Sequence, residues 1–307
     1  MIHDGAELDE VEPMPAIIRE HCGRRGGIHD REAKQRARHL PLTRKSRARS
    51  ADRPGTDGFP GGRGHAALYN RRMCGRAILT ATPDDLRELL GLTEVPAFAP
   101  RYNIAPTQPI AVVRAPGRLE LLRWGLSKGT AKGGAKGNAK ESPRETRINV
   151  RAESVMTAYR ESFAQRRCLV VVDGFYEWQR VANVARGASR PFLLRREDGK
   201  PFVLAGIWAS RVTEDGEVMD ECAVVTGAST GVVAELHDRM PVILSRESLA
   251  CWLTGKPSEA SALLIPTAEG LTSYAVSSRV NSPANDDPRC IEPAPAEPPK
   301  GNLTLFG

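Results

Sequence analysis

Apolar positions along this 307-residue chain fall into two arrangements: patternless over residues 1–72, and periodic from Met73 onward. In the periodic part, TPDDLRELLG (residues 82–91) sets Thr82 ahead of Pro83, puts two acids in the next positions, lines up Leu86, Leu89 and Leu90, and closes on Gly91. That order predicts a short capped helix with a glycine stop. PIAVVRAPGRLELLRWGL (109–126) reads as two β-rich runs around a Pro-Gly turn, and RPFLLRREDGKPFVLAGIW (190–208) repeats the design around Asp198-Gly199, so two hairpins are predicted. RCLVVVDGFYEWQR (167–180) and ECAVVTGA (221–228) supply further strands, while residues 152–165, TGVVAELH (230–237) and SRESLACWL (245–253) read as helices. The fold class expected is α+β: a single domain with a curved, largely antiparallel, barrel-like sheet and flanking helices.

Upstream, GRRGGIHDREAKQRARHLPLTRKSRARSADRPGTDGFPGGRG (23–64) sustains neither a helical nor a strand period and offers little apolar surface to offset chain entropy, so residues 1–72 are expected to be a disordered basic extension. The seam lies at NRRMCGRAILT (70–80), where a Met-Cys pair stands as if at a chain start. Two readings stay open: a misassigned start or dispensable extension, and a basic arm for nucleic acid. Five acids in the first twelve residues argue against a transit peptide, which is acid-poor. SKGTAKGGAKGNAKESPRETR (127–147) is expected to be a surface loop, and 294–307 a Pro-rich flexible tail, leaving 73–293 as the folded domain.

Composition narrows the class. At 40% hydrophobic and 26% charged the chain suits a soluble globular protein. No apolar run reaches the roughly 18 residues of a membrane span and no secretory leader is visible, so a cytoplasmic protein without membrane contact is expected. Residues 1–72 carry 15 Lys and Arg against 10 acids, leaving only +2 of the net +7 for the rest. Affinity for nucleic acid in the body must therefore come from local placement of basic residues. Six scattered cysteines without a C-x-x-C pair predict reduced thiols, no metal and no cofactor.

The candidate chemistry is sparse. Five of six histidines precede Met73, so His237 is the only imidazole of the body and its first acid-base candidate, unless it merely sits favourably at a helix C-terminus. Glu177 stands among Phe175, Tyr176 and Trp178, where burial would raise its pKa, unless its side chain points to water. Asn149 and Arg151, in INVRAES, either orient an oxygen and grip a phosphate, or Asn149 caps the next helix. Cys74, if internal, is an ordinary thiol with a pKa of about 8.5. At the head of a mature chain it would carry an α-amine with a pKa of roughly 7.7 to 8 beside its sulfur. Amine and thiol together can close a thiazolidine on an aldehyde, which an amide nitrogen cannot do.

MCGR, RYNIAPTQ, WGL, INVRAES, RCLVVVDGFYEW, PFLLRREDGKPFVLAGIW, CAVVTGAS and ELHDRMPVIL run in an order that resembles the SOS response-associated peptidase (SRAP) family, from Met73 to about Pro293. The resemblance implies a DNA-repair protein that covalently traps abasic sites in single-stranded DNA. It implies that Cys74, freed of Met73, is the nucleophile; that Asn149 positions the sugar; and that Glu177 and His237 handle protons. Arg76 and Arg151 would grip phosphates, Trp124, Trp178 and Pro106 would line the DNA channel, and Thr226 would meet the backbone. The family name implies self-processing of the N-terminus, a peptidase or lyase-like activity. The expected partner is single-stranded DNA bearing abasic sites, bound by a monomer in the cytoplasm at the nucleoid, with replication-fork proteins as further candidates.

Two departures stand out. Relatives begin at Met-Cys, whereas 72 residues precede Met73 here, and no α-amine exists at Cys74 while they are attached. The loop with Lys128, Lys132, Lys136 and Lys140 replaces a Trp-Ala-Lys segment of the relatives and is either an electrostatic aid or a solvated loop. Two other functions are weighed beside lesion capture: a cysteine hydrolase using Cys74, His237 and Glu177, and a non-catalytic single-strand binder.

Overall fold

The run RCLVVVDGFYEWQR forms two strands rather than one, and the break at Asp173 organises the molecule. In the computed structural model, which describes residues 75–115, 118–127, 146–180, 189–213 and 215–295, β6 (Arg167–Val172) and β7 (Gly174–Arg180) belong to different sheets. Asp173 donates its N–H to Ile78 O at 2.8 Å. Its carboxylate accepts the Thr80 hydroxyl at 2.7 Å, the Ala81 N–H at 2.9 Å and the Thr80 N–H. The expectations for residues 1–72, Met73, Cys74, the Pro116-Gly117 turn, the four loop lysines and the tail beyond Pro295 concern residues outside those described.

The larger sheet closes on itself. β3 (Pro109–Arg114) pairs with β4 (Arg118–Trp124) and β6, β6 pairs with β9 (Phe202–Val212), and β9 pairs with β10 (Val218–Ala228). β10 completes the ring by running parallel to β4, so this five-stranded barrel is antiparallel at every seam but one. The expected barrel-like core is therefore present. Its interior is so tight that a Cβ on Gly206 would come within 2.8 Å of both Cys168 Sγ and Val170 Cγ2, a distance only glycine avoids. Short β11 (Arg239–Pro241), β12 (Ile243–Leu244) and β5 (Asn149–Arg151) extend this sheet; β5 and β11 flank β10, with β5 parallel to it.

The second sheet runs β13 (Leu271–Ala275), β8 (Ser189–Arg196), β7, β1 (Ala77–Leu79), β2 (Arg101–Ile104). This order corrects the hairpin predicted around Asp198-Gly199. Both strands and a tight turn are present, with Gly199 at φ 71°, but β8 pairs with β7 and β13 while β9 goes to the barrel. Asp198 binds Arg196 and the Lys200 N–H, and Pro201 supplies no N–H to continue a ladder, so the chain changes sheets there. The long hairpin is β9–β10, with Val212 opposite Val218.

Helices cover the outside. α1 (Pro83–Leu90) has the predicted ends: Thr82 and Asp85 form a reciprocal capping box, Gly91 takes φ 67°, and Leu86 and Leu90 are buried. The helix expected over 152–165 is split at Tyr159 into α2 (Ala152–Ala158) and α3 (Arg160–Gln165). α4 (Gly231–Ala234) is a single turn, and α5 (Leu249–Thr254) and α6 (Pro257–Ser261) follow. On α5, Trp252 donates its indole N–H to Cys168 O at 2.9 Å, pinning the helix to the barrel. Cys168, Cys222 and Cys290 are buried and, with Cys251, carry free thiols. No described helix is long and apolar enough to cross a membrane.

One buried charge ties three barrel strands. Glu221 on β10 is fully buried and meets Arg123 of β4 at 2.8 Å and Arg211 of β9 at 2.9 Å. It also accepts the Ser127 N–H and hydroxyl, each at 2.7 Å. Removing one member of such a set strands the others. Glu221→Ala is expected to lower unfolding free energy by about 3–5 kcal/mol in a urea titration; a loss below about 1 kcal/mol would mean that this cluster does not hold the seam.

Candidate functional site

Glu177 and Asn149 lie on two strands, β7 and β5, that both approach the start of the described chain at Gly75. β1 pairs with β7 so that Ala77 faces Phe175 and Tyr176 N–H donates to Arg76 O at 3.0 Å. Continuing that register by two residues brings Gly75 opposite Glu177. Gly75 also abuts the next candidate strand, since a Cβ there would sit 3.7 Å from Ile148 Cδ1, immediately before Asn149. Cys74 itself lies outside the described residues; the residue bonded to it stands between the strand of Glu177 and the strand of Asn149.

Asn149 and Arg151 are fixed by the parallel pairing of β5 with β10, Asn149 opposite Val224 and Arg151 opposite Thr226. The capping alternative for Asn149 is not what is seen. It lies in the strand, and the residue at the N-cap of α2 is Arg151, which makes no side-chain capping bond. Arg151 is exposed, Asn149 half-buried. Thr226 is buried and donates its hydroxyl to Val150 O at 3.3 Å. On its other side, opposite Pro241, Arg239 donates to Thr226 O at 2.6 Å and pairs with Glu153 at 2.9 Å.

Glu177 is 2% exposed, so the water-facing alternative is replaced by a buried carboxylate on β7. Three residues on, Arg180 bears on His237. Burial lowers the His237 pKa below its ordinary value, the charges of Arg180 and Arg239 lower it further, and Asp238 opposes them. Nδ1 of His237 lies 3.1 Å from the Arg239 N–H and 2.9 Å from Asp238 Oδ1. A neutral ring accepts from Arg239 at that nitrogen and keeps its proton on Nε2; a charged ring donates to Asp238 instead. The lowered pKa favours the neutral form near pH 7.

The basic and aromatic candidates separate into surface and interior. Trp124 is fully buried, with its indole donating to Ile148 O at 3.1 Å, and presents no face outside the barrel. Pro106 and Thr107 form the turn from β2 to β3, closed by Gln108 N–H to Ala105 O at 3.1 Å. Thr107 takes φ 72°, a strained value for a β-branched residue, at a cost of about 1–3 kcal/mol. Its N–H donates to Trp124 O at 2.8 Å, which helps hold it there. Arg76 is 6% exposed, and its guanidinium donates inward to Asn103 Oδ1 at 2.9 Å, Val280 O at 2.6 Å and Asn281 O at 3.2 Å. Trp178 is half-buried, 5.9 Å from that guanidinium, and its indole donates to Asn281 Oδ1 at 2.7 Å.

Sequence reasoning missed Asn103, Asn281 and Asp286. Asn103 is fully buried, accepts from Arg76, and shares its two amide hydrogens among Val280 O, Ser282 O and Asn285 O. Asp286 accepts the Tyr102 and Asn103 N–H groups at 2.6 and 2.8 Å and binds Arg101. The segment from Ser277 to Cys290 is thereby strapped across β2. The polar run VNSPANDD was the available signal, but nothing in its spacing names a partner some 180 residues away. Among the described residues, no group of three or more His, Cys, Asp or Glu is arranged to hold a metal ion.

Residues 73–283 match the sequence profile of the SOS response associated peptidase (SRAP) family. The abasic site processing protein YoqW of Bacillus subtilis is 34% identical over 232 residues, covering 72% of this chain and 99% of that protein. The abasic site processing protein YedK of Escherichia coli is 26% identical over 237 residues, covering 72% of this chain and 100% of its own. A similar protein of Xenopus tropicalis, the abasic site processing protein HMCES, is 26% identical over 262 residues, or 71% and 78% of the two chains. In fold, the chain resembles a crystallised protein of Bacteroides thetaiotaomicron, with a TM-score of 0.61 over 72% of this chain and 100% of that one at 20% identity.

The His237 environment makes a prediction. With its pKa depressed on folding, the native state binds fewer protons than the unfolded chain. Its share of stability is present above the unfolded value of about 6.5 and is lost as pH falls below it. NMR titration of the His237 ring should give a midpoint below 6.5; a midpoint at or above that value would contradict the burial argument.

Proposed function

The chain belongs to the SOS response-associated peptidase family, and from that premise we propose that it captures abasic sites in single-stranded DNA by a thiazolidine bond to Cys74. The observation that carries the reading is the position of Gly75, between the strand bearing Glu177 and the strand bearing Asn149. A reactive residue just upstream of Gly75 would have a buried carboxylate on one side and an amide on the other. The relatives' names state abasic-site processing, which supports the same substrate class.

The chemistry requires a free α-amine. In the proposed sequence His237, neutral at its lowered pKa, takes the proton of the anomeric hydroxyl as the bond from C1 to the ring oxygen breaks and hands it to that oxygen, so the sugar opens to an aldehyde and an alcohol. The Cys74 amine adds to the carbonyl carbon, and its two protons pass by way of Glu177 to the departing oxygen, so that one water leaves and an imine remains. The sulfur then closes onto the imine carbon, its proton passing to nitrogen. Asn149 orients the sugar through its amide. Arg151, exposed at the start of α2, meets a phosphate, and Trp178 offers a stacking surface for a base. Arg76 serves from inside by holding the strap. Release of Cys74, either by initiation at Met73 followed by methionine removal or by cleavage of the leader, is part of the proposal.

A cysteine hydrolase would tolerate a blocked amine and cleave ordinary peptides, and a simple binder would survive Cys74→Ala. Incubation of the Met73-start and full-length proteins with abasic single-stranded DNA, followed by boiling in denaturant, separates the three. The Met73-start protein is expected to give a heat-stable covalent band that Cys74→Ala abolishes and that the unprocessed long form lacks. Glu177→Gln should slow its appearance by roughly 10²- to 10⁴-fold, the range of a lost acid-base group. A stable band from a chain with its leader intact, or none from one starting at Cys74, would overturn the proposal.

A further inference from the structure

The strap explains a feature that the catalytic residues do not use. Trp178 is half-buried, with its ring edge rather than its face engaged by a hydrogen bond, from Nε1 to Asn281 Oδ1 at 2.7 Å. Asn281 is itself exposed, at the end of the 3-10 turn Ser278–Asn281. Exposed side chains ordinarily sample several rotamers, but the backbone that carries this one is pinned on both sides. Val280 O accepts from both Arg76 and Asn103, Asn281 O accepts from Arg76, and Ser282 O accepts from Asn103. Val280 is fully buried beneath. Asn285 donates its amide to Arg279 O at 2.8 Å, closing the turn on itself. These bonds hold the carbonyls before, at and after the one exposed amide.

We propose that Asn281 is a positioning residue for nucleic-acid binding: the strap holds its amide oxygen rigidly so that the Trp178 indole is locked in the orientation that stacks on a base. Locking a stacking ring before the strand arrives removes its rotamer entropy from the binding step. The strap-held amide meets the N–H edge of the indole, so the hydrogen bond fixes the ring's rotation from its edge. Asn103 acts one step further back, through the strap, whereas Arg76 both holds the strap and lies over one face of the indole, 5.9 Å from its centroid, leaving the other face for a base. This inference rests on the single-strand reading above and assigns that site a device outside its reacting groups.

The test is a double-mutant cycle on an undamaged oligothymidine, so that the covalent step plays no part. Affinity is read by fluorescence anisotropy for the Met73-start protein and for its Asn281→Ala, Trp178→Ala and doubly substituted forms. Trp178→Ala should weaken binding roughly 5- to 100-fold, the range of one base–aromatic stack. Asn281→Ala should weaken it about two- to ten-fold, the range of one hydrogen bond, with a melting temperature within about 2 °C of the parent. In the Trp178→Ala background the Asn281 substitution should have no further effect. An equal effect in both backgrounds would mean that Asn281 touches the strand directly, and no effect in either would mean that the indole needs no anchor; each overturns this inference alone. A parent protein that leaves oligothymidine unbound would overturn the single-strand reading as well.

Discussion

The carboxylate of Asp173 is the joint on which the architecture turns. An uninterrupted apolar run enters it as a barrel strand and leaves it as a strand of the second sheet, and the side chain satisfies backbone and hydroxyl donors of Thr80 and Ala81 at the crossing. Burial raises the pKa of this group against the pull of those hydrogen bonds. The consequence is positional: because β7 begins here, Glu177 falls four residues later at a fully covered point, opposite Phe192 of β8. The site is a product of the seam between sheets rather than of either sheet alone.

At three further places buried polar groups serve connection. Glu221 with Arg123 and Arg211 fastens the barrel where a parallel pair, β4 and β10, replaces an antiparallel one. Asn103 and Arg76 fasten the strap. Arg167 fastens α5 and the turn after it through the carbonyls of Trp252 and Gly255. In all three, charged or amide donors meet backbone or carboxylate acceptors, so the desolvation that would otherwise disfavour burial is largely offset. Such links carry less net stability than apolar contact but fix geometry more narrowly, which suits a protein whose proposed reacting groups come from distant parts of the chain.

Placement also reassigns residues whose types suggested contact with DNA. An arginine two residues from Cys74 and a tryptophan in a Trp-Gly-Leu run both suit a nucleic-acid surface, yet Arg76 points inward to carbonyls and Trp124 is sealed in the barrel. Arg151 and Trp178, of the same two types, remain at the surface. Residue type constrains what a side chain can do, and its neighbours decide which of those things it does.

Local rules were legible wherever the determining residues are neighbours in sequence. The α1 helix with its Thr82 box and Gly91 stop, the β3–β4 pairing, and the α+β class with a curved sheet all follow from periodicity and capping within about ten residues. Likewise the chemical types at Cys74, Asn149, Glu177 and His237 could be singled out because scarcity and composition are properties of the chain itself. The tertiary structure decided what depends on partners far along it: the switch of sheets at Asp173 and at Asp198–Pro201, the burial of Glu177, and the strap drawn across β2 by an asparagine nearly 180 residues away. A strand's pattern tells which face is apolar but not which edge will find a mate, and a polar side chain's worth depends on whether another segment arrives to satisfy it.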